Sequence, residues 1–315
     1  MFSTVLFLLL GFILLIKGAD WLVEGASALA KKYNVSDLAI GLTIVAFGTS
    51  APELVVNVLA AYQNHQDIVF ANIMGSNIFN LFAILGIAGL ITPLAVQSGT
   101  VWKEIPVSLF ALIVLFVVSN EMVSSHYPMV SRWEGVFLLL LFSLFLYYVF
   151  TQLKVNPQSF EAQKKFLPVL KIIILIVLGL AGLVIGGRLI VDNALKIATI
   201  FDVSEKIIGL TIVSIGTSLP ELATSVVAAM KKNNDIAVGN IIGSNIFNIF
   251  FILGLSSTIR PLVYNIAYNL EFYFLAIGTI FLFMAMFTGK KKKLDRWEAA
   301  VLVVAYAAYV TYLLM

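Results

Sequence analysis

Gly48-Thr-Ser-Ala-Pro-Glu53 returns as Gly216-Thr-Ser-Leu-Pro-Glu221, 168 residues further along a chain of 315. The same shift carries Gly41-Leu-Thr-Ile-Val onto Gly209-Leu-Thr-Ile-Val, and Gly75-Ser-Asn-Ile-Phe-Asn80 onto Gly243-Ser-Asn-Ile-Phe-Asn248. It holds without a gap from Gly18 to Asn80. Proline, glutamate, asparagine and glycine all recur in register, so low complexity does not explain the match. Two copies of one unit make up the chain.

The residues around these motifs are apolar. Hydrophobic residues make up 61% of the chain and charged residues 12%, against roughly a quarter charged in a soluble domain. The apolar runs are long enough to span a bilayer, which takes about 20 residues of helix. They are continuous rather than alternating, which excludes a β-barrel and leaves helices. There is no cysteine, so thiol redox chemistry and thiolate metal sites are excluded. Met1 to Ile16 resembles the apolar core of a signal peptide but lacks a basic start, and it is read as a retained first helix.

Ten spans are expected, near 2–29, 36–62, 68–93, 104–120, 133–152, 168–195, 205–230, 236–258, 269–288 and 296–315. The longest polar stretch, Thr151 to Lys165, separates five from five. The expected organisation is a first five-helix repeat (1–152), a short cytoplasmic linker (153–167) and a second repeat (168–315). Five is odd, so the second repeat enters the membrane from the opposite side. The expected fold is an all-α membrane protein of ten transmembrane helices in two inverted-topology repeats, as in many secondary transporters whose site lies at the midplane. Lysine and arginine gather in alternate loops (Lys31, Lys32, Lys103, Lys154, Lys164, Lys165, Lys171, Lys231, Lys232, Lys290 to Lys293, Arg296), with only Arg132, Lys196, Lys206 and Arg260 opposite. By the positive-inside rule both termini are expected outside.

Ala46, Thr49, Ser50 and Glu53 stand at i, i+3, i+4 and i+7, one face of a helix, and Ser214, Thr217, Ser218 and Glu221 repeat them. Pro52 and Pro220, read as lying inside their helices, free the carbonyls of Gly48 and Gly216. In lipid those carbonyls need another partner: a cation, a hydroxyl or a water. Ser76 with Asn80, and Ser244 with Asn248, add i, i+4 pairs. All are hard oxygen donors. Ca2+ takes about 6–8 of them in flexible geometry, while Mg2+ demands a strict octahedron and transition metals prefer imidazole or thiolate. Both histidines, His65 and His126, fall in expected outer loops. Two carboxylates balance one Ca2+. An intramembrane carboxylate costs about 3 kcal/mol on insertion scales and usually marks an ion path, and no basic residue is at comparable depth to pair with Glu53 or Glu221.

Blander roles stand beside these. Thr49, Ser50, Thr217 and Ser218 can bond back to their own helices, and Asn80 and Asn248 can act as interhelical glue. Asn77 and Asn245 read as packing or capping residues, and Asn72 and Asn240 as caps. Lys17 with Asp20, and Arg188 with Asp192, have the spacing of local ion pairs.

The paired motifs in inverted halves resemble the α-repeats of the Ca2+/cation antiporter superfamily, and within it the prokaryotic Na+/Ca2+ exchangers. The resemblance covers all ten spans. It implies that Glu53 and Glu221 hold Ca2+ with Thr49 and Thr217, and that Na+ sites use Ala46, Ser50, Ser76, Ser214, Ser218 and Ser244. It implies exchange through overlapping sites, with spans 1 and 6 sliding against the rest. Asn248 stands where some archaeal and K+-dependent relatives carry Asp, which argues against K+ coupling. Ser214 stands where relatives often carry Ala. Proton-coupled cousins usually carry Gly-Asn-x-x-Glu instead of this motif.

The expected function is therefore exchange of Ca2+ for Na+ by alternating access, in the plasma (inner) membrane of a prokaryote. Ca2+/H+ exchange and K+-dependent Na+/Ca2+ exchange are the alternatives. A channel filter normally draws on several subunits, whereas one chain here supplies both halves of the site, so a monomer suffices. The motifs contain no nucleophile with its base, so no enzyme activity is expected. Nor is a cofactor, a nucleic-acid partner or a regulatory Ca2+-binding domain; the partners are the two ions and membrane lipid.

Overall fold

The structure, a computed structural model, describes residues 2–120, 128–151, 167–200, 214–289 and 292–314. The described helices are α1 (Phe2–Tyr33), α2 (Asp37–Thr49), α3 (Ala51–Tyr62), α4 (Gln66–Ile91), α5 (Thr100–Ser119), α6 (Arg132–Thr151), α7 (Val169–Ile200), α8 (Ser214–Thr217), α9 (Leu219–Met230), α10 (Asn234–Ile259), α11 (Ile266–Ala285) and α12 (Arg296–Leu314). Among the described residues, seven helices are long and apolar enough to cross a bilayer, and the bent pair α2/α3 makes an eighth. The span expected at 205–230 is described only from Ser214, as α8 and α9. Gly209 to Val213, His126, Lys154, Lys164, Lys165, Lys206, Lys290, Lys291 and nearly all of the expected linker lie outside the described residues.

The second expected span is not one helix with a proline at its middle. It breaks at Ser50 (φ −81°, ψ 9°), and its two segments meet at 50°. Pro52 therefore sits in the first turn of α3, where a missing N–H costs nothing and the ring's fixed φ suits a helix start. Ser218 breaks the second copy in the same way (φ −91°, ψ 10°), with Pro220 in the first turn of α9. The break places Glu53 and Glu221 in first turns, where exposed N–H groups and the helix dipole favour negative charge.

Central α4 and α10 are buried along most of their length. Each carries a π-helical segment at matching positions, Phe79–Ile84 and Phe247–Leu253; such bulges often accompany functional sites. Small residues let α10 approach α2: a Cβ on Gly243 would lie 2.9 Å from the Cβ of Ala46. The largest apolar cluster joins α4, α5, α6, α10, α11 and α12. A second holds α1 and α7 together and reaches α2, α9 and α10 through Ile40, Val45, Ala228 and Ile236.

Helices α1 and α7 run antiparallel in backbone contact. A Cβ on Gly18 would meet the Leu183 amide nitrogen at 2.7 Å, one on Gly179 the Leu22 nitrogen at 2.7 Å, and one on Gly186 the Leu15 nitrogen at 2.6 Å. This is the small-residue packing that joins helices in lipid. Their outward faces carry Leu6, Leu9, Ile13, Ile16, Leu170 and Ile173, all exposed.

Four two-residue strands tie the halves together. β1 (Leu94–Ala95) pairs antiparallel with β4 (Lys293–Leu294), and β2 (Met129–Val130) with β3 (Leu262–Val263). Beside them, Arg296 donates to the Ile91 carbonyl and Arg132 to the Ile259 carbonyl, both at 3.4 Å, satisfying orphan carbonyls at the ends of α4 and α10. Ser131 and Glu134 form a capping box at the start of α6.

Arg188 pairs with Asp192 at 3.8 Å, as the spacing predicts. Asp20 does not pair with Lys17. Its partner is Lys231 at the end of α9, 2.6 Å away, which also donates to the Asp20 carbonyl. Packing of α9 against α1 brings in a cation that spacing along one helix does not reveal.

Candidate ion-binding site

Each glutamate is held by the other half. Ser218 donates to Glu53 Oε1 at 2.8 Å, and Ser50 donates to Glu221 Oε1 at 2.8 Å. The helix breaks explain the swap: each serine stands at the corner of its own kink, three residues before its own glutamate, and faces across the interface. Both carboxylates are buried. Among the described residues neither forms an ion pair. On each, the second oxygen, Oε2, is buried with no donor.

The next layer supplies two more bare oxygens. Asn80 donates its Nδ2 to Asn245 Oδ1 at 3.1 Å, and Asn248 donates to Asn77 Oδ1 at 2.9 Å. Asn77 and Asn245 are fixed in turn, each amide donating to the other's backbone carbonyl at 3.5 Å. With their NH2 groups spent, Asn80 and Asn248 are left with buried, unpartnered Oδ1 atoms. Asn77 and Asn245 are thus the residues that decide which way Asn80 and Asn248 face, not packing or capping residues.

Thr49 donates to Asn240 Oδ1 at 3.0 Å and stands 3.3 Å from the Ala46 carbonyl. Thr217 accepts from Asn72 Nδ2 at 3.3 Å. Asn72 and Asn240 are therefore not helix caps: both are buried and reach the threonine of the opposite half. A signal was present, since Asn72, Ser76 and Asn80 recur at i, i+4 and i+8 and share a face with the expected ligands, as do Asn240, Ser244 and Asn248. Asn57, which donates to the Glu53 carbonyl and to Asn72 Oδ1, both at 2.7 Å, was also missed; it stands one turn after Glu53.

Ser244 lies 3.0 Å from Ser50 Oγ and 3.5 Å from Glu221 Oε1. The Ser76 hydroxyl is buried without a partner. Ala46 is buried, and its carbonyl accepts the Ser50 amide at 3.0 Å. Ser214 opens α8, but its side chain lies outside the described residues. The structure thus gathers Glu53, Glu221, Ser50, Ser218 and Ser244 directly, and orients Thr49, Thr217, Asn80 and Asn248 through a shell of amides. Among the described residues no group of three or more His, Cys, Asp or Glu forms. Charge is confined to two carboxylates, with neutral oxygens as the remaining donors. That chemistry suits Na+ and Ca2+ and not a soft metal.

A model of the sodium/calcium exchanger protein family matches residues 3–151 and 171–315. The putative antiporter CaxA of Alkalimonas amylolytica is 38% identical to this chain, over 98% of both. The sodium/calcium exchanger MaX1 of Methanosarcina acetivorans is 33% identical, over 98% of this chain and 97% of its own. The solved structure of the sodium-calcium exchanger NCX_Mj soaked with 10 mM Na+ and zero Ca2+ superposes with a TM-score of 0.85, at 33% identity and over 98% of both chains. Fold and relatives define the class as a multi-pass membrane antiporter of prokaryotic type. Within that class, the chain belongs to the sodium/calcium exchanger protein family.

Proposed function

We propose that the protein exchanges Ca2+ for Na+ by alternating access, with both ions using one cage of oxygens. The observation that carries this reading is the set of buried acceptors without donors: Glu53 Oε2, Glu221 Oε2, Asn80 Oδ1 and Asn248 Oδ1. A buried acceptor left bare costs about 1–3 kcal/mol, and more if charged. A cation stripped of water and held between them would give such oxygens the partner they lack. Two negative charges match one Ca2+, and Na+ accepts the same ligands, so the ions compete for occupancy. Thr49, Thr217, Ser50, Ser218, Ser76 and Ser244, with the backbone at Ala46 and Ser214, complete the proposed ligand set.

The proposed architecture is ten spans in two inverted five-helix repeats, 1–152 and 168–315, joined by 153–167. It rests on the repeated motifs and on the reciprocal contacts between halves: Ser50 with Glu221 against Ser218 with Glu53, and one strand pair against the other. The proposed setting is a prokaryotic plasma (inner) membrane with both termini outside, from the lysine and arginine bias. One chain supplies both carboxylates and their donors, so a monomer suffices.

The test is 45Ca2+ uptake by proteoliposomes loaded with Na+ and diluted into Na+-free buffer. Uptake that needs the outward Na+ gradient supports the proposal. Uptake that ignores Na+ and follows an imposed pH gradient refutes Na+ coupling, and uptake that appears only with K+ outside together with Ca2+ makes the exchanger K+-dependent.

A further inference from the structure

Outside the cage, Glu104 is 3% exposed and has no cationic partner among the described residues. It closes the π-helical turn Thr100–Glu104 that opens α5. Tyr148, on α6, donates to its Oε1 at 2.5 Å, while its Oε2 is buried with no donor. Thr100, four residues earlier and fully buried, has a hydroxyl with no partner either. A Cβ built on Gly99 would meet Glu104 Oε2 at 3.8 Å and, apart from the chain beside it, nothing else within 4 Å. The bare oxygen therefore borders a gap beside a partly exposed glycine.

The other half builds a similar contact. Leu94 and Leu262 are 168 positions apart, yet Ile105, Leu112 and Leu115 take the same buried places as Phe272, Thr279 and Leu282, 167 positions on. The wider π-helical turn holds the extra residue and brings Glu104 into register with Glu271. Glu271 also has a buried Oε2 without a partner, and Tyr309 of α12 donates to its Oε1 at 3.4 Å. A carboxylate facing a phenol thus recurs between α5 and α6 and between α11 and α12. The Glu104 contact is the shorter and the more buried of the two.

We infer that Glu104, Thr100 and the gap beside Gly99 form a second cation site, separate from the exchange cage, that takes one monovalent alkali cation such as Na+. A buried charge needs a partner, and the single phenol serves only one of the two carboxylate oxygens. The free groups are hard oxygens, which suit Na+ and not a softer ion. One carboxylate balances one positive charge. Lys103 Nζ stands 5.6 Å from the centre of the Tyr148 ring, and that nearby charge disfavours a divalent ion. The Gly99 side gives the ion a way in and lets water complete its shell. Once occupied, the site braces α5 against α6 through Tyr148. It plays no part in the exchange proposed above and stands or falls without it.

The experiment is equilibrium 22Na+ binding to the purified full-length Glu53→Gln/Glu221→Gln protein, at constant ionic strength in choline. With the cage disabled, a single Na+ per chain is expected to remain bound and to raise the melting temperature. Adding Glu104→Gln should abolish both effects. Adding Gly99→Ala should weaken the residual binding by about tenfold or more, the scale of a disturbed metal site. Gly99 has helical φ and ψ (−56°, −50°) that alanine adopts without strain, so this variant keeps the test open should Glu104→Gln misfold. Should the cage-disabled protein itself misfold, wild type is compared with Glu104→Gln, which is expected to bind one Na+ fewer. No residual Na+ binding, residual binding that survives Glu104→Gln, or equal stoichiometry in that last comparison overturns the inference. Failure of wild type to couple Ca2+ uptake to Na+ overturns the exchange reading and leaves this site untouched.

Discussion

Ser218 donates to Glu53 Oε1 at 2.8 Å although the two residues belong to different repeats, and Ser50 returns the arrangement to Glu221. Each carboxylate is therefore oriented by a hydroxyl that its own half does not own. Ser218→Ala removes that donor and leaves a second bare oxygen on a buried carboxylate, a cost of about 1–3 kcal/mol. We expect Ca2+ affinity to change by about tenfold and the melting temperature in ion-free buffer to fall, both read from calcium titrations of purified protein. Wild-type affinity and melting would show that the crossing bond carries no weight.

Glu53→Gln and Glu221→Gln each halve the charge of the cage at nearly constant shape. Both are expected to abolish Na+-driven 45Ca2+ uptake while the protein still purifies and folds. Retained uptake in either variant would remove that residue from the site.

Acid is expected to inhibit, since protons and cations compete for Glu53 and Glu221. The diagnostic is the direction of the competition: raising Ca2+ should shift the pH profile of uptake toward lower pH. A profile that ignores Ca2+ concentration would place the inhibitory proton elsewhere.

Asn77→Ala removes the acceptor that holds the Asn248 amide. Asn248 is then free to turn its NH2 toward the ion, and Ca2+ binding is expected to weaken by about 10–100-fold although Asn77 itself touches no ion. Calcium binding to Asn77→Ala and Asn77→Gln, the second retaining the amide, separates orientation from bulk.

Gly179→Ala puts a Cβ 2.7 Å from the Leu22 backbone nitrogen. Backbone cannot yield as a side chain does, so α1 and α7 must separate, at a cost of about 1–3 kcal/mol. Thermal unfolding in detergent should show the loss. Gly48→Ala is expected to be milder, because its neighbour is the flexible end of Leu180.

Much of this was legible in the sequence because lipid leaves few solutions. Continuous apolar runs must be helices, and the repeated Gly-Thr-Ser-x-Pro-Glu motif marks the two carboxylates and their companions. The helix break was placed wrongly. Pro52 reads as a mid-helix kink, whereas the chain turns at Ser50 and uses the proline to start the next helix. The amide shell was undervalued for a different reason. Periodicity tells which face a residue shares, but not whether its partner lies on a helix 168 positions away. Asn72, Asn77, Asn240 and Asn245 take their meaning from contacts between halves, which one repeat read alone does not contain. Lys231 finding Asp20 is another such contact.

The two short strand pairs, β1 with β4 and β2 with β3, carry a mechanical consequence out of proportion to their length. Each stitches a loop of one half to a loop of the other, so the two halves of the central bundle are pinned to each other at two seams. Helices α1 and α7 lie outside the stitching: α7 leans on the bundle through Leu180 on Gly48 and Val191 on Gly216, and α1 is tied to α9 by Asp20 with Lys231. Under the alternating access proposed above, the α1/α7 pair can shift without breaking either strand pairing, whereas the laced frame cannot part without losing one.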